Sequence, residues 1–282
     1  MTLLDGKMVS TNLKNELKEK VEILKKTYNI TPKLSIVLVG ANPASQVYVK
    51  NKIKACEYTE IIPELISVED TITEVELLEI VDKLNNDNSV HGIIVQLPLP
   101  KHINEQVIID AINNKKDVDG FGIENKGRLF CGLDSLHSAT PEGIMTLLDA
   151  YNIPIEGKHA VVVGRSNIVG KPIAMLLLAK NATVTITHSR TKDLASITRN
   201  ADILVVAIGK AKYITSDMVK DGAIVIDVGI NRIDGKLYGD VDFENVANKT
   251  SYITPVPGGV GPLTIASLLK NTLIAYERIL KK

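Results

Sequence analysis

The chain has 282 residues, of which 45% are hydrophobic and 4% aromatic, and it contains no tryptophan. Its length predicts two domains, and a core of aliphatic side chains is typical of parallel sheets covered by helices. Lys and Arg together number 33, as do Asp and Glu, so the formal net charge is zero. This balance argues against nucleic acid and against a membrane surface as partners.

The cysteines and the apolar segments are typical of a cytoplasmic protein. Cys56 and Cys131 are two thiols in a long chain, which predicts reduced side chains and a cytosolic location. The segment Met1–Lys7 lacks a basic stretch followed by an apolar run, so we expect no signal peptide. The longest apolar run, Ile173–Ala179, is too short to cross a bilayer.

The first half of the chain alternates strand-like and helix-like segments, which predicts α/β architecture. A helical period of apolar residues covers Ser10–Tyr28, and Asn42-Pro43 predicts a helix that continues to about Cys56. Thr73-Glu74-Val75-Glu76 has the form of a capping box and predicts a third helix. The predicted strands are Lys33–Gly40, Ile61–Val68 and Val90–Gln96.

The second half repeats this alternation, with predicted helices over Val169–Ala179 and Leu263–Lys281. A domain boundary is expected near Thr140-Pro141, so that 1–139 with 263–282 form one α/β domain and 140–262 form the other. We expect the second domain to be Rossmann-like and a catalytic cleft to lie between the two. The predicted strands of this half are His159–Gly164, Thr183–His188, Ile203–Gly209 and Ala223–Gly229.

A glycine-containing turn joins a predicted strand to a helix over Val161–Pro172. Glycine lets a backbone approach a pyrophosphate, and the start of the helix offers free amides to it. The spacing departs from the usual dinucleotide fingerprint, because Ser166 replaces the middle glycine and Gly170 comes one residue late. An ordinary tight turn therefore remains an alternative. A Walker phosphate loop is excluded, because the glycine gap is one residue too long and Pro172 replaces the magnesium-binding hydroxyl.

The end of the next predicted strand discriminates between nicotinamide cofactors. Proteins that bind NAD place an acid there for the ribose hydroxyl, but this chain has His188-Ser189-Arg190. Ser189 and Arg190, with Arg165 from the glycine turn, can hold a 2′-phosphate, because guanidinium groups offer paired donors. The sequence therefore favours NADP, although the nearby Asp193 leaves NAD as an alternative.

Three further motifs contain candidate catalytic residues. Tyr48 and Lys52 are four apart on one predicted helix and share a face, although a surface lysine beside a core tyrosine is the alternative. Gln96 ends a buried strand, where open α/β sheets place ligands, unless it only caps that strand. Lys116–Phe121 is an acidic turn containing Asp119, and turn formation alone also explains its composition. The five histidines show no ligand spacing, so we expect no metal site.

These motifs, taken in order, resemble the bifunctional methylenetetrahydrofolate dehydrogenase/methenyltetrahydrofolate cyclohydrolase family over essentially the whole chain. Ser138-Ala139-Thr140-Pro141 departs from the Pro-Cys-Thr-Pro that the family often has, and we expect little effect on the chemistry. The motifs are Val39-Gly40 with Ala44-Ser45, Tyr48-Val49 and Lys52, then Gly92–Pro100, Asp117–Phe121, Val162–Pro172 and Thr254–Thr264.

The resemblance implies NADP as cofactor, a folate substrate, one-carbon metabolism and a homodimer joined through the nucleotide domains. It also implies that Lys52 is the central catalytic residue, that Tyr48 stacks on the folate, that Gln96 positions Lys52 and that Asp119 anchors the pterin ring. Nucleotide-binding residues by the same resemblance are Gly164, Arg165, Ser166, Ser189, Arg190 and Ile230, and further substrate-binding residues are Gly261 and Pro262.

Three alternatives remain open at this point. A shikimate-dehydrogenase-like NADP reductase also pairs a substrate domain with a Rossmann domain, but Tyr48, Lys52 and the loop Thr254–Thr264 argue against it. A folate- or nucleotide-binding protein without turnover would need a broken site, yet Lys52, Gln96 and Asp119 are present. A family member with dehydrogenase activity alone is the third.

Overall fold

A computed structural model describes residues 1–281, which divide into two compact units. The six-stranded unit comprises Met1–Ser10 and Thr140–Thr264. The three-stranded unit comprises Thr11–Ala139 and the chain from Ile265 onward. The helices are α1 (Gly6–Tyr28), α2 (Pro43–Tyr58), α3 (Glu74–Asn86), α4 (Glu105–Ala111), α5 (Ile123–Phe130), α6 (Ala139–Ala150), α7 (Gly170–Ala179), α8 (Leu194–Thr198), α9 (Phe243–Val246) and α10 (Val260–Leu280).

The strands form a six-stranded sheet, a three-stranded sheet and a short hairpin. Single 3₁₀ turns cover Ser216–Met218 and Ala247–Lys249. The strands are β1 (Thr2–Leu3), β2 (Lys33–Val39), β3 (Ile62–Val68), β4 (Gly92–Val95), β5 (His159–Val163), β6 (Thr183–Thr187), β7 (Ile203–Val206), β8 (Ile224–Asp227), β9 (Asn231–Ile233), β10 (Lys236–Tyr238) and β11 (Tyr252–Ile253).

The three-stranded sheet has the order β3-β2-β4 and is parallel throughout. Every residue of β4 is buried, as expected for a strand covered on both faces. The later part of α10 packs in the same core, where Leu269, Leu273 and Tyr276 join Leu34 and Ile36 of β2. The last helix therefore completes this unit, although it is far from β2 in the chain.

The six-stranded sheet is also parallel, with the order β1-β11-β8-β7-β5-β6. Counted from β5 along the chain, its strands follow the order 2-1-3-4-5, one of the two common doubly wound arrangements. The order reverses between β5 and β7, and sheets of this kind bind ligands in the crevice at that reversal, outside the carboxyl ends of the strands.

Two features differ from the expectations drawn from sequence. We expected Met1–Ser10 in the first domain, but Thr2 and Leu3 pair in parallel with Tyr252 and Ile253, so the segment belongs to the six-stranded unit. Most of the predicted strands also extended one to three residues into the loops that follow them, because a sequence pattern does not show where the ladder hydrogen bonds end.

Local capping chemistry fixes several helix ends. The Thr73 hydroxyl accepts from the Glu76 amide at 3.2 Å while a Glu76 carboxylate oxygen accepts from the Thr73 amide at 2.9 Å, which is the capping box expected from sequence. At the other end of α3, the Lys116 ammonium donates to the carbonyls of Leu84, Asn85 and Asp87 at 2.7–3.0 Å. The first residue of the acidic turn thus satisfies carbonyls that a helix end leaves unpaired.

Within residues 1–281, no helix is both long and apolar enough to cross a membrane.

His91 makes the stability of the three-stranded unit sensitive to acid. Its ring is fully buried 4.8 Å from the Tyr276 ring, and Nδ1 accepts from the Lys33 amide at 3.1 Å. Within the described chain the buried Nε2 has no hydrogen-bond partner. Burial, reinforced by the charge of Lys116, lowers the pKa of His91 from 6.5 to about 4.

We expect acidification from about pH 6.5 to about pH 4 to remove on the order of 3 kcal/mol of unfolding free energy through His91. The sign follows because the folded state binds fewer protons than the unfolded state in this window. Urea unfolding of the wild type and of His91→Gln at several pH values isolates this contribution, since carboxylate effects are common to both proteins. Parallel pH profiles for the two proteins would contradict the expectation.

Candidate active site

Helix α2 presents one exposed aromatic ring and one buried amine on a shared face. The Asn42 side chain begins the helix by accepting from the Ala44 and Ser45 amides at 3.0 and 3.2 Å. Lys52 is buried at 8% exposure, whereas Tyr48, one turn earlier, is 50% exposed. This is the reverse of a surface lysine beside a core tyrosine, so that alternative is wrong.

Gln96 holds the buried amine. It follows β4 directly, and its side-chain oxygen accepts from the Lys52 ammonium at 3.0 Å. The Gln96 amide nitrogen donates to the Leu97 carbonyl at 2.7 Å, so the oxygen is the atom that faces Lys52. Gln96 therefore contacts Lys52 in addition to ending its strand.

The acidic turn Lys116–Phe121, which follows α4, contains two aspartates with different surroundings. The buried Asp117 carboxylate accepts from the amides of Phe121 and Gly122 at 3.2 and 2.8 Å and from the Asn125 side chain at 3.0 Å. Turn chemistry therefore accounts for Asp117. The half-buried Asp119 has a different electrostatic neighbour. Burial raises the pKa of Asp119, and the positive charge of Lys52 opposes that rise.

The turn around Gly120 fits closely against the chain that follows it. Gly120 has a φ of +66°, and a Cβ there would lie 2.5 Å from the His137 carbonyl carbon. The Ser138 hydroxyl donates to the Gly120 carbonyl at 3.1 Å. The turn is thus fixed by backbone packing that only glycine permits, which holds Asp119 in place.

In the six-stranded unit, Gly164 occupies the predicted turn after β5. Its φ is +129°, and a Cβ there would lie 2.3 Å from the carbonyl oxygen of Ala207, which follows β7. A Cβ on Gly170 would in turn lie 2.4 Å from the Gly164 carbonyl oxygen. The two glycines therefore let the turn approach the neighbouring backbone at the reversal of strand order.

Ser166 has a structural task in this turn. Its hydroxyl oxygen accepts from the amides of Val169 and Gly170 at 3.1 and 3.2 Å, at the start of α7. Pro172 lies in the first turn of the same helix, where its missing donor costs nothing. The serine in the position of the middle glycine thus stabilises the helix start.

A cavity of about 260 Å³ lies at the carboxyl ends of β5, β6 and β7. Arg165 and Lys210 give it positive charge, and Ser189 adds a hydroxyl donor. Its lining residues are Val163, Gly164, Arg165, His188, Ser189, Leu194, Ala207, Ile208, Lys210 and Tyr213.

Two neighbours of this cavity behave differently from the lining residues. The exposed Arg190 is not among the described residues that line the cavity, and its amide donates to Nδ1 of His188 at 3.2 Å. Asp193 caps α8 by accepting from the Ser196 amide at 3.3 Å. Asp193, the acid that left NAD as an alternative cofactor, therefore caps its own helix.

Ile230, Gly261 and Pro262 lie together around a second cavity of the six-stranded unit, of about 150 Å³. Ile230 is 52% exposed, and a Cβ on Gly261 would lie 3.6 Å from the Cδ1 atom of Ile230. The loop Thr254–Thr264 and the residues after β8 thus form one recess.

Neither a metal cluster nor a disulfide is found in the described part of the chain. No three His, Cys, Asp or Glu side chains in residues 1–281 are arranged to hold an ion. Both cysteines are free, and burial raises the pKa of Cys56 to about 12, which keeps it a thiol.

Two family models together match most of the chain. The model described as tetrahydrofolate dehydrogenase/cyclohydrolase, catalytic domain, matches residues 4–119. The model described as tetrahydrofolate dehydrogenase/cyclohydrolase, NAD(P)-binding domain, matches residues 138–280. The chain belongs to the tetrahydrofolate dehydrogenase/cyclohydrolase family. The resemblance carried by the sequence motifs is thereby confirmed.

Individual members of the tetrahydrofolate dehydrogenase/cyclohydrolase family are similar over nearly their full length. Bifunctional protein FolD of Oceanobacillus iheyensis is 58% identical over 277 residues, 98% of this chain and 97% of the relative. The crystal structure of bifunctional FolD from Campylobacter jejuni is 54% identical, covers 99% of both chains and has a TM-score of 0.97. The Trypanosoma brucei dehydrogenase-cyclohydrolase, solved with NADP and an inhibitor, is 37% identical with a TM-score of 0.94, covering 100% of this chain and 99% of its own.

The shikimate-dehydrogenase alternative is not favoured. Shikimate 5-dehydrogenase from Thermus thermophilus is 13% identical with a TM-score of 0.52, covering 88% of this chain and 94% of its own. A likeness of this size shows a shared fold alone. Membership of the tetrahydrofolate dehydrogenase/cyclohydrolase family instead establishes the protein as an oxidoreductase and hydrolase of the folate type.

Two buried acids near the nucleotide-binding region escaped the sequence analysis. Asp227 ends β8 and Asp240 follows β10, and they are 3% and 0% exposed. A signal was present, because Gly229 and Gly239 flank these acids in sequence and only close packing against a side chain requires glycine there. Which backbone groups the acids bind depends on the tertiary fold, so no local pattern specified it.

Proposed function

We propose that this protein oxidises 5,10-methylenetetrahydrofolate with NADP and hydrolyses the resulting 5,10-methenyltetrahydrofolate to 10-formyltetrahydrofolate. The observation that carries the proposal is the buried Lys52, hydrogen-bonded to Gln96 and within the electrostatic reach of Asp119. These three residues come from separate segments of the family's catalytic domain, and their roles are our proposal.

The six-stranded unit fits a dinucleotide phosphate. The absence of a Cβ at position 164 lets the turn after β5 pack against Ala207 at the reversal of strand order, where sheets of this kind bind a pyrophosphate. In our proposal Arg165 and Ser189 hold the 2′-phosphate, with Arg190 at its outer side, and Ile230 contributes backbone contacts. When bound, NADP accepts a hydride from the methylene bridge of the folate.

The three-stranded unit supplies groups suited to a pterin. Asp119 offers two carboxylate oxygens to the donor edge of the ring, which favours paired hydrogen bonds. The exposed ring of Tyr48 provides a face on which a flat heterocycle can stack. Gly261 and Pro262 are proposed as further folate contacts, as the family resemblance implies, and their loop lines a recess.

In our proposal Lys52 performs the proton transfers that hydrolysis requires. Water adds to the methenyl carbon and loses a proton, the ring nitrogen gains one as its bond to that carbon breaks, and a second proton is released. In our proposal the Lys52 side chain exchanges these protons, because it is buried beside Gln96 and Asp119 at the candidate site. The Gln96 oxygen accepts a hydrogen bond from the Lys52 nitrogen at 3.0 Å, which fixes the position of that nitrogen while adding no charge.

The most direct experiment follows nicotinamide reduction with methylenetetrahydrofolate, using NADP and NAD in parallel, and then follows methenyltetrahydrofolate hydrolysis without nucleotide. We expect reduction with NADP to exceed reduction with NAD, and we expect hydrolysis without either. No reduction with either nucleotide would contradict the proposal and would favour a protein that binds without turnover. Reduction without hydrolysis would favour a dehydrogenase alone.

We also propose a homodimer joined through the six-stranded units, as the family resemblance implies, and a cytoplasmic location, which the two free cysteines support. Light scattering of the purified protein should give about twice the mass of one chain at micromolar concentration. A mass equal to one chain would exclude a stable dimer under those conditions.

A further inference from the structure

Two buried carboxylates, those of Asp227 and Asp240, connect loops of the six-stranded unit through hydrogen bonds. Asp227, the last residue of β8, accepts from the amides of Gly229, Asp240 and Val241, each at 2.9 Å. Its own amide donates to the Thr254 hydroxyl at 2.7 Å. Asp227 thus fixes the backbone on both sides of Asp240, the second carboxylate.

Asp240 in turn binds the loop that follows β7. One oxygen accepts from the amides of Ile208 and Gly209 at 2.7 and 2.9 Å. The other accepts from the Lys210 amide at 2.8 Å and from the side chain of Asn231 at 2.9 Å. Asp240 is fully buried, so four donors satisfy a charge that has no access to water.

The loop Ile208–Lys210, which Asp240 binds, lines the cavity of about 260 Å³ at the reversal of strand order. We call this cavity the cationic cavity, because Arg165 and Lys210 line it. Ile208 and Lys210 belong to that lining, and Ala207, immediately before them, lies against the Gly164 turn. Gly209 has a φ of +65°, a conformation that allows three successive amides to point at one carboxylate. The shape of the cavity therefore depends on where Asp240 holds these amides.

Two glycines, Gly229 and Gly239, pack directly against these two carboxylates. A Cβ on Gly229 would lie 2.3 Å from the Asp240 carboxyl carbon, and one on Gly239 would lie 1.8 Å from an Asp227 carboxylate oxygen. Both carboxylates thus occupy space that any side chain at these positions would take. This close packing holds each carboxylate in one position, as is required of a group that positions other groups.

We propose that Asp240 is a positioning residue for the nucleotide, holding the loop Ile208–Lys210 in the conformation that binds NADP. The inference rests on the proposed use of NADP. Both carboxylate oxygens of Asp240 accept hydrogen bonds from protein donors, so Asp240 acts on the nucleotide through the loop. Loss of the carboxylate should weaken nucleotide binding and leave folate hydrolysis intact, because hydrolysis does not use the nucleotide.

The test is Asp240→Asn, with Asp242→Asn as matched control. An amide at position 240 keeps the size but places an NH₂ donor against backbone donors, so part of the loop loses its acceptor. Asp242 lies two residues away and instead contacts the Asn245 side chain at 2.6 Å and Lys212 at 3.9 Å. NADP affinity is measured directly by calorimetry, and both activities are measured alongside it.

We expect the Kd for NADP to rise at least roughly tenfold in Asp240→Asn and to change little in Asp242→Asn. The KM for NADP should rise with it, while cyclohydrolase turnover and the KM for folate stay near wild type. An unchanged Kd in folded Asp240→Asn would overturn the inference. Wild-type protein that lacks NADP binding altogether would instead contradict the proposed function.

Hydrogen exchange on the wild type provides a test that needs no variant. The amides of Ile208, Gly209 and Lys210 should exchange slowly before NADP is added, because each donates to a buried carboxylate. Exchange at the rate of a free loop, becoming slow only with NADP, would overturn the inference, since the nucleotide and not Asp240 would then order the loop.

Discussion

Lys52→Ala should reduce cyclohydrolase turnover by about a hundredfold or more, because the variant lacks the amine that exchanges protons with water and the ring nitrogen. Dehydrogenase turnover should fall less, since hydride transfer depends mainly on holding two carbon atoms together. Stopped-flow or spectrophotometric assays of methenyltetrahydrofolate loss and of nicotinamide reduction measure the two effects separately.

The matched control for this variant is Lys54→Ala, on the same helix and exposed to solvent. It removes the same side chain and charge from α2 while leaving the Lys52–Gln96 hydrogen bond in place. Thermal unfolding of both variants separates loss of chemistry from loss of folding, because Lys52 is buried and its removal leaves a cavity. Cyclohydrolase turnover at the wild-type level in Lys52→Ala would remove Lys52 from the mechanism.

Gly164→Ala should lower NADP affinity by roughly a hundredfold or abolish it. The added methyl would lie 2.3 Å from the Ala207 carbonyl oxygen, and a φ of +129° strains any residue with a Cβ. Relief of this contact must move the turn or the backbone at Ala207, and both line the cationic cavity. Calorimetric titration with NADP measures the loss, and folate hydrolysis in the same preparation reports whether the protein is folded.

Gly222→Ala is the control that separates the effect of backbone strain from the effect of steric overlap between the added methyl group and its neighbours. Gly222 belongs to the same unit and has a φ of +77°, but a Cβ there would meet no heavy atom within 4 Å. We expect it to reduce stability by about 1 kcal/mol and to keep NADP affinity. Equal losses of affinity in both variants would mean that backbone strain alone, and not the fit at Gly164, determines binding.

Sequence reasoning succeeded where the determinant is local. Asn42-Pro43 and the Thr73–Glu76 box predicted the starts of α2 and α3, because a cap involves residues only two or three apart. Gly164 was found for the same reason, since the strand before it and the helix after it are both visible in the sequence. The family motifs extended this to the whole chain.

It failed where the determinant is distant in the chain. Whether Lys52 or Tyr48 of α2 is buried depends on which face packs against β2 and β3, and helical spacing does not specify that face. The two-residue strand β1 has no periodicity to detect, and its partner lies some 250 positions later. Asp240 resembles any turn aspartate until the loop after β7 is placed beside it.

The discontinuous make-up of both units has a consequence for biosynthesis. Thr2 and Leu3 find their partners only when Tyr252 and Ile253 have left the ribosome, and the core around Leu34 and Ile36 needs Leu269 of the last helix. Neither unit can therefore complete its core on a nascent chain, and contacts of such long range are slow to close. Until these later segments have been synthesised, the partly made protein exposes the unpaired edge of β8 and an incomplete core around Leu34 and Ile36, and exposed surface of this kind promotes aggregation.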